Sequence, residues 1–208
     1  MRDMVEKKTE ERGQDGTGRA YSPGLEGVIA GESAICQVDE SDSGLRYRGY
    51  AISDLAEQAT FEEVAYLLLL GKLPTRKELE DFAAQLRLQW MLPGPVEAFI
   101  SVVPPNAHPM DILRTGVSLL GMTDPDAADG SHDGNVRKSI RLMAQIPVLI
   151  ATAHRLAHGK RQIQPRADLG FAENILYLLT DRYGDQIAKT MARVLDISLI
   201  LYAEHEFN

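Results

Sequence analysis

The sequence predicts a mainly α-helical fold with one small β-hairpin near its start, and three observations carry that prediction. From residue 60 onward apolar residues recur at three- and four-residue spacing, as in Leu79, Phe82, Leu86 and Trp90, which is the period of an amphipathic helix. Helix start and stop signals bracket these runs, most clearly Thr60 with Glu63 before one of them and Gly71 with Pro74 after it, a capping box and a glycine stop. Strand-like sequence is confined to residues 27–38 and 45–50, on either side of the polar stretch DESDSG, where Ser43 and Gly44 suit a tight turn.

Taken in order, the hairpin is expected to act as a lid. A short helix then begins at Ser53, a second occupies residues 61–70, and a third follows Thr75 and runs to Trp90, with Pro93 closing it. Residues 109–122 predict a helix with Met110, Leu113, Val117 and Leu120 on one stripe, and Gly116 and Gly121 leave room for a close neighbour. Residues 135–158 predict a long, deeply buried helix that is apolar on all sides around residues 146–150 and bent at Pro147. Two more follow, at residues 168–179 and 184–203, and in the last of these Ile187, Met191, Val194, Ile197 and Leu201 mark the expected buried stripe. No fixed-period repeat is visible, which disfavours a solenoid.

Composition narrows the function. With 208 residues, 44% of them hydrophobic and 25% charged, the chain has the make-up of a globular protein that folds. A formal net charge of −8 argues against a nucleic-acid partner or a polybasic membrane anchor, since both require a cationic face. The one cysteine, Cys36, forms no intrachain disulfide and is expected to be a small buried hydrophobe; a reducing, cytoplasmic location follows as the expectation. No apolar run approaches the roughly 20 residues that cross a bilayer. Residues 1–20 are polar and charged with no apolar stretch, so they are expected to form a disordered leader and not a signal peptide.

Each chemical candidate has a structural reading beside its functional one. His154 and His158 lie four apart in HRLAH, a spacing that places two imidazoles on one helix face, either for a metal or as the polar edge of a buried helix. No third ligand stands at a diagnostic distance, and no metal is expected. His108 and His132 read as loop or helix-cap residues. Arg46 and Arg48 alternate with Tyr47 and Tyr50 in LRYRGY, as an anion site or as the solvated face of a strand. His205 follows the most apolar segment of the chain and is flanked by Glu204 and Glu206; a helix C-terminus favours a protonated or donating imidazole there, in an active or a structural role. No GxGxxG, Walker-type loop, GxSxG or CxxC is present, which removes the nucleotide-binding and serine-hydrolase readings.

The final turns, DISLILYA, are apolar round most of the helix and demand packing partners on several sides. The expectation is that the fold continues beyond Asn208. Four stretches in order, GLEGVIAGESAICQVDE, GLRYRGYAISDLAEQATFEEVAYLLLLGKLPT, HPMDILRTGVSLLG and LILYAEHEFN, resemble the N-terminal half of citrate synthases and 2-methylcitrate synthases. The resemblance runs from about residue 21 to the last residue, so residues 21–208 would form a partial citrate-synthase-like large domain that stops before the small domain is complete.

The resemblance implies a homodimeric enzyme that condenses an acyl-CoA such as acetyl-CoA with a 2-oxo acid such as oxaloacetate. Acetyl-CoA is then a substrate, and no cofactor is implied. Enolising a thioester needs a base at the carbon and a donor at the carbonyl oxygen together. By resemblance the donor falls on His205, within the segment that ends at Asn208, a further substrate-binding candidate. The aspartate base, a second histidine and the carboxylate-binding arginines belong to the other half. A family histidine that binds oxaloacetate is expected near the start of the helix DLGFAENILYLL, where Phe171 or Glu173 stands instead. The expected partners are the two substrates and either a second copy or a C-terminal half; alone, the chain is expected to be inactive. The contrasting reading is a catalytically dead binding or regulatory paralogue that associates through the family's dimer helices, which resemble residues 109–122 and 135–158. A third is a fragment that folds poorly and has no function.

Overall fold

The computed structural model describes residues 31–39 and 44–204. The readings placed on the polar leader, on most of the DESDSG turn, and on His205 and Asn208 lie outside the described residues. Residues 31–34, which belong to a separate unit, carry no helix or strand. Every described helix and strand falls in the unit that starts at Ile35.

That unit opens with β1 (Cys36–Asp39), β2 (Gly44–Tyr47) and β3 (Tyr50–Ala51), an antiparallel sheet in that order. Residues 45–50 therefore form two strands where one was expected. Tyr47 pairs with Tyr50, leaving a two-residue turn in which Arg48 (φ 49) and Gly49 (φ 89) both have positive φ, the requirement of the hairpin turn that matches strand twist. Cys36 is half-buried, not buried as expected. Residues 31–35 are irregular, so the strand before the turn is shorter than predicted.

Eight helices follow among the described residues. α1 (Ile52–Gln58) leads into α2 (Phe61–Leu70), where Thr60 and Glu63 form the predicted capping box and Gly71 ends the helix in the left-handed conformation. α3 (Arg76–Leu88) has a second capping box, from Thr75 and Glu78. Pro93 does not merely close α3: it is the N-cap of α4 (Gly94–Val102), a helix the sequence reading missed. Proline fits the start of one helix as well as the end of another, because its missing N–H is an orphan in the first turn anyway. α5 (Pro109–Thr123) is capped by His108, whose Nδ1 accepts from Met110 N–H. α6 (His132–Ala157) starts three residues before the predicted position, so His132 lies in its first turn; Ser131 is the cap. α7 (Phe171–Thr180) and α8 (Gln186–Leu201), the latter capped by Asp185, complete the order.

Long α6 organises the packing, touching α3, α4, α5 and α7. One side of it joins Val96, Ile100 and Leu120 around Leu149, and the other joins Tyr66, Phe82 and Phe171 around Ile140 and Ala144. Gly116 lets α5 approach closely: a Cβ there would lie 2.5 Å from the Leu149 side chain. Gly121 serves no such purpose, since its surroundings are open. The sheet packs on α1, and Tyr47 joins Leu55, Val64, Leu67 and Ile200 in a third cluster. Each fully buried large side chain of this kind stabilises the fold by about 1.5–3 kcal/mol.

The last helix reverses its prediction. The buried residues of α8 are Ala188, Ala192, Asp196 and Ile200, whereas Ile187 is 61% and Val194 60% exposed, and Met191 and Leu201 are also exposed. Small alanines permit α8 to lie close against α7, with Leu176 between them. A helix apolar on most sides has more than one stripe to bury, and periodicity does not choose between them.

Candidate functional site

Two helix ends meet at one junction, and a pair of side chains from α8 holds them there. Arg193 donates from Nη2 to the carbonyls of Ala56 (2.6 Å) and Glu57 (2.8 Å), and from Nη1 to that of Ala59 (2.9 Å), so it satisfies the orphan carbonyls at the end of α1. Asp196, only 7% exposed, accepts from Phe61 N–H at 2.9 Å and from Arg193 at 2.7 Å. Its charge therefore sits at the positive N-terminus of α2 while its partner's sits at the negative C-terminus of α1, the favourable arrangement for both helix dipoles.

The same device recurs one layer further on. Glu62, in the first turn of α2, accepts from the N–H of Phe171, the first residue of α7, at 2.8 Å. Burial is the main reason its carboxyl is raised above the ordinary range; the Phe171 N–H opposes this, and the nearby Asp196 and Glu63 charges add to it. Glu173 accepts from Gly170 N–H at 3.0 Å, so two carboxylates flank the start of α7.

Between these groups lies a cleft of about 250 Å³ bordered by Glu62, Gly170, Phe171, Lys189, Arg193 and Asp196. It combines two cations with several carboxylates and the N-terminus of a helix, which is the equipment for holding a small polar molecule by charge-assisted hydrogen bonds. Phe171 borders it but offers no donor: its side chain is buried and its ring stacks on Phe61 with centroids 5.1 Å apart. Glu173, the other residue standing where the histidine was sought, also borders the cleft.

The end of α8, which leads toward His205, is fixed separately. Tyr47, fully buried on β2, donates from its hydroxyl to the Leu201 carbonyl at 3.3 Å. Burial raises the Tyr47 pKa, with the Glu204 backbone opposing, so the hydroxyl stays protonated and able to donate. The two remaining sequence candidates resolve into local structure. Arg48 donates to the Leu68 carbonyl at 3.1 Å, and Arg46 to that of Gly49 at 3.2 Å. His154 and His158 have ring centroids 4.3 Å apart, with His158 Nδ1 2.7 Å from the His154 carbonyl. Burial chiefly lowers the His154 pKa, helped by the neighbouring His158. Among the described residues no group of three or more His, Cys, Asp or Glu could hold a metal ion.

Sequence reasoning missed Glu62, Arg193 and Asp196. The available signal was Asp196 itself, an acid set among apolar turns, because a buried carboxylate demands a partner.

Residues 24–208 match the family described as citrate synthase, C-terminal domain. Citrate synthase 2 of Bacillus subtilis is 42% identical over 186 residues, covering 89% of this chain and 49% of the relative. The 2-methylcitrate synthase of Shewanella oneidensis is also 42% identical, over 89% of this chain and 48% of its own length. Among solved structures, citrate synthase from Pyrobaculum aerophilum superposes with a TM-score of 0.79 at 35% identity, over 88% of this chain and 47% of that one. The chain thus spans about half the length of the relatives it matches, and it belongs to the citrate synthase family.

Proposed function

We propose that this chain supplies the N-terminal half of a citrate-synthase-type enzyme, which condenses acetyl-CoA with oxaloacetate to give citrate and CoA. The match to citrate synthases over residues 24–208 is the observation that supports this reading. In it, His205 donates a hydrogen bond to the thioester carbonyl while a base from the other half removes a proton from the adjacent carbon. The developing enolate charge is then neutralised where it forms. The carbanion equivalent attacks the oxo-acid carbonyl, and hydrolysis of the resulting thioester releases CoA. Phe171 borders the acid-side cleft, and Asn208 lies on the donor segment. The enzyme works as a homodimer of completed subunits or as a complex of halves, in the cytoplasm, with no cofactor.

Two observations favour related readings. The equal identity to a 2-methylcitrate synthase supports to the same degree an acyl-CoA one carbon longer than acetyl-CoA. The buried Phe171 ring, lacking a donor where the family histidine was sought, favours a binding or regulatory paralogue without turnover.

A thiol-release assay tests the reading. The chain alone is expected to release no CoA from acetyl-CoA and oxaloacetate. The chain combined with a complementary half is expected to do so, with His205→Ala abolishing it. Turnover by the isolated chain that His205→Ala removes would refute its status as an incomplete half. An inactive complex that forms with defined stoichiometry would favour the regulatory reading.

A further inference from the structure

The last turns of α6 carry two imidazoles beside an otherwise apolar cavity. His154 and His158 stand four residues apart and exposed, so they share one face of the helix. Their ring centroids are 4.3 Å apart, with a tilt of 40° between the planes. His158 donates from Nδ1 to the His154 carbonyl at 2.7 Å. In the neutral ring this places the proton on Nδ1 and leaves the Nε2 lone pair free, which is how a backbone carbonyl orients a metal-ligating histidine. Among the described residues the His154 ring nitrogens carry no hydrogen bond, so this ring also offers a lone pair.

The surroundings select the kind of ion. The two rings border a cavity of about 370 Å³ whose other lining residues are apolar, including Pro105, Ile150 and Leu179, with the Met110 sulfur as the one further side-chain donor. No carboxylate lines it, so a hard cation that takes oxygen ligands is not served. Lys160 and Arg155 at the same helix end oppose a positive charge, so an ion is held here by nitrogen lone pairs and not by charge. Metal–nitrogen bonds of about 2.0–2.1 Å put two imidazole centroids roughly 4.4 Å apart at the right angle of a tetragonal ion, and roughly 5.1 Å apart at a tetrahedral one. The observed 4.3 Å matches the tetragonal case, which is the preference of cupric ion. Among the described residues no third His, Cys, Asp or Glu joins the pair, so water completes the coordination. We propose that His154 and His158 form a binding site for one divalent transition-metal ion, cupric ahead of zinc, at the C-terminal end of α6. The site shares no residue with the cleft at the α2–α7–α8 junction, and it is independent of the reading of the chain as half of an enzyme.

The test is calorimetric titration of the untagged full chain with Cu²⁺ and, separately, with Zn²⁺. One equivalent of Cu²⁺ is expected to bind, more tightly than Zn²⁺, and its electron paramagnetic resonance spectrum is expected to show coupling to two imidazole nitrogens. His154→Ala and His158→Ala are each expected to weaken Cu²⁺ binding by at least the roughly 10- to 100-fold that follows loss of an outer partner of a ligand. His132→Ala, at an exposed histidine in the first turn of α6, is expected to leave binding unchanged. Circular dichroism of each variant checks that the fold is kept. Absence of Cu²⁺ binding to the wild-type chain overturns the site, as does binding that survives both substitutions or that His132→Ala weakens equally. Zn²⁺ bound more tightly than Cu²⁺ overturns the choice of ion.

Discussion

Among the described residues, two clusters of carboxylates and arginines behave in opposite ways. In the α5–α6 connection, Arg141 forms a two-pronged bond with Asp124 at 2.9 and 2.7 Å and reaches Asp126, which Arg137 also holds. Every acid here has a cation, and the Arg141 hydrogen bond is the main cause that lowers Asp124 below the ordinary carboxylate range. At the α2–α7–α8 junction Arg193 is spent on Asp196 and on backbone carbonyls, and half-buried Glu62 has a helix N–H as its partner and is raised. A loop that only connects two helices has matched charges, whereas the junction bordering the cleft keeps one carboxyl in an unfavourable state. Such departures from optimal stability concentrate where a site is built.

The largest effect that would separate the two regions is expected from Asp196→Ala. It strands the Phe61 N–H and leaves Arg193 without its counter-ion, at a cost of about 3 kcal/mol, read as a lowered urea midpoint. Asp196→Asn keeps an acceptor for Phe61 N–H and should recover part of the loss; no recovery would mean the charge alone matters. Next comes Arg141→Ala, whose side chain is 14% exposed, with an expected loss of about 2 kcal/mol. If it proves as damaging as Asp196→Ala, the contrast between loop and junction fails.

A smaller effect, but the sharpest discriminator, lies in pH. Asp124 has a lowered folded pKa, so its contribution is present above the ordinary value of 3.8 and is lost as pH falls through the folded value. Glu62 has a raised one, so its contribution is full below 4.5 and is lost as pH rises through the folded value. Glu62→Gln, which keeps an acceptor for Phe171 N–H, should therefore raise the melting temperature at neutral pH and remove the decline above 4.5. A lower melting temperature at neutral pH would show that the ionised carboxylate is the stabilising form. The smallest effect is expected from Lys77→Ala: its bond to Asp81 joins two exposed side chains, and such pairs contribute little, so no measurable change in the urea midpoint is expected.

The sequence by itself determined the features that depend on near neighbours in the chain. The mainly helical class and the limits of α2, with its Thr60–Glu63 box and Gly71 stop, follow from residues within a few positions of one another, and the family follows from the order of four such stretches along the chain. Local hydrogen bonds and propensities do not depend on what packs outside. Tertiary structure alone decided which side of α8 is buried, that Asp196 and Glu62 reach the ends of other helices, and that Pro93 opens α4 as well as following α3. The physical reason is that a helix apolar on most sides satisfies its periodicity in either orientation. Close approach through Ala188 and Ala192, together with the buried ion pair that one orientation permits, selects between them.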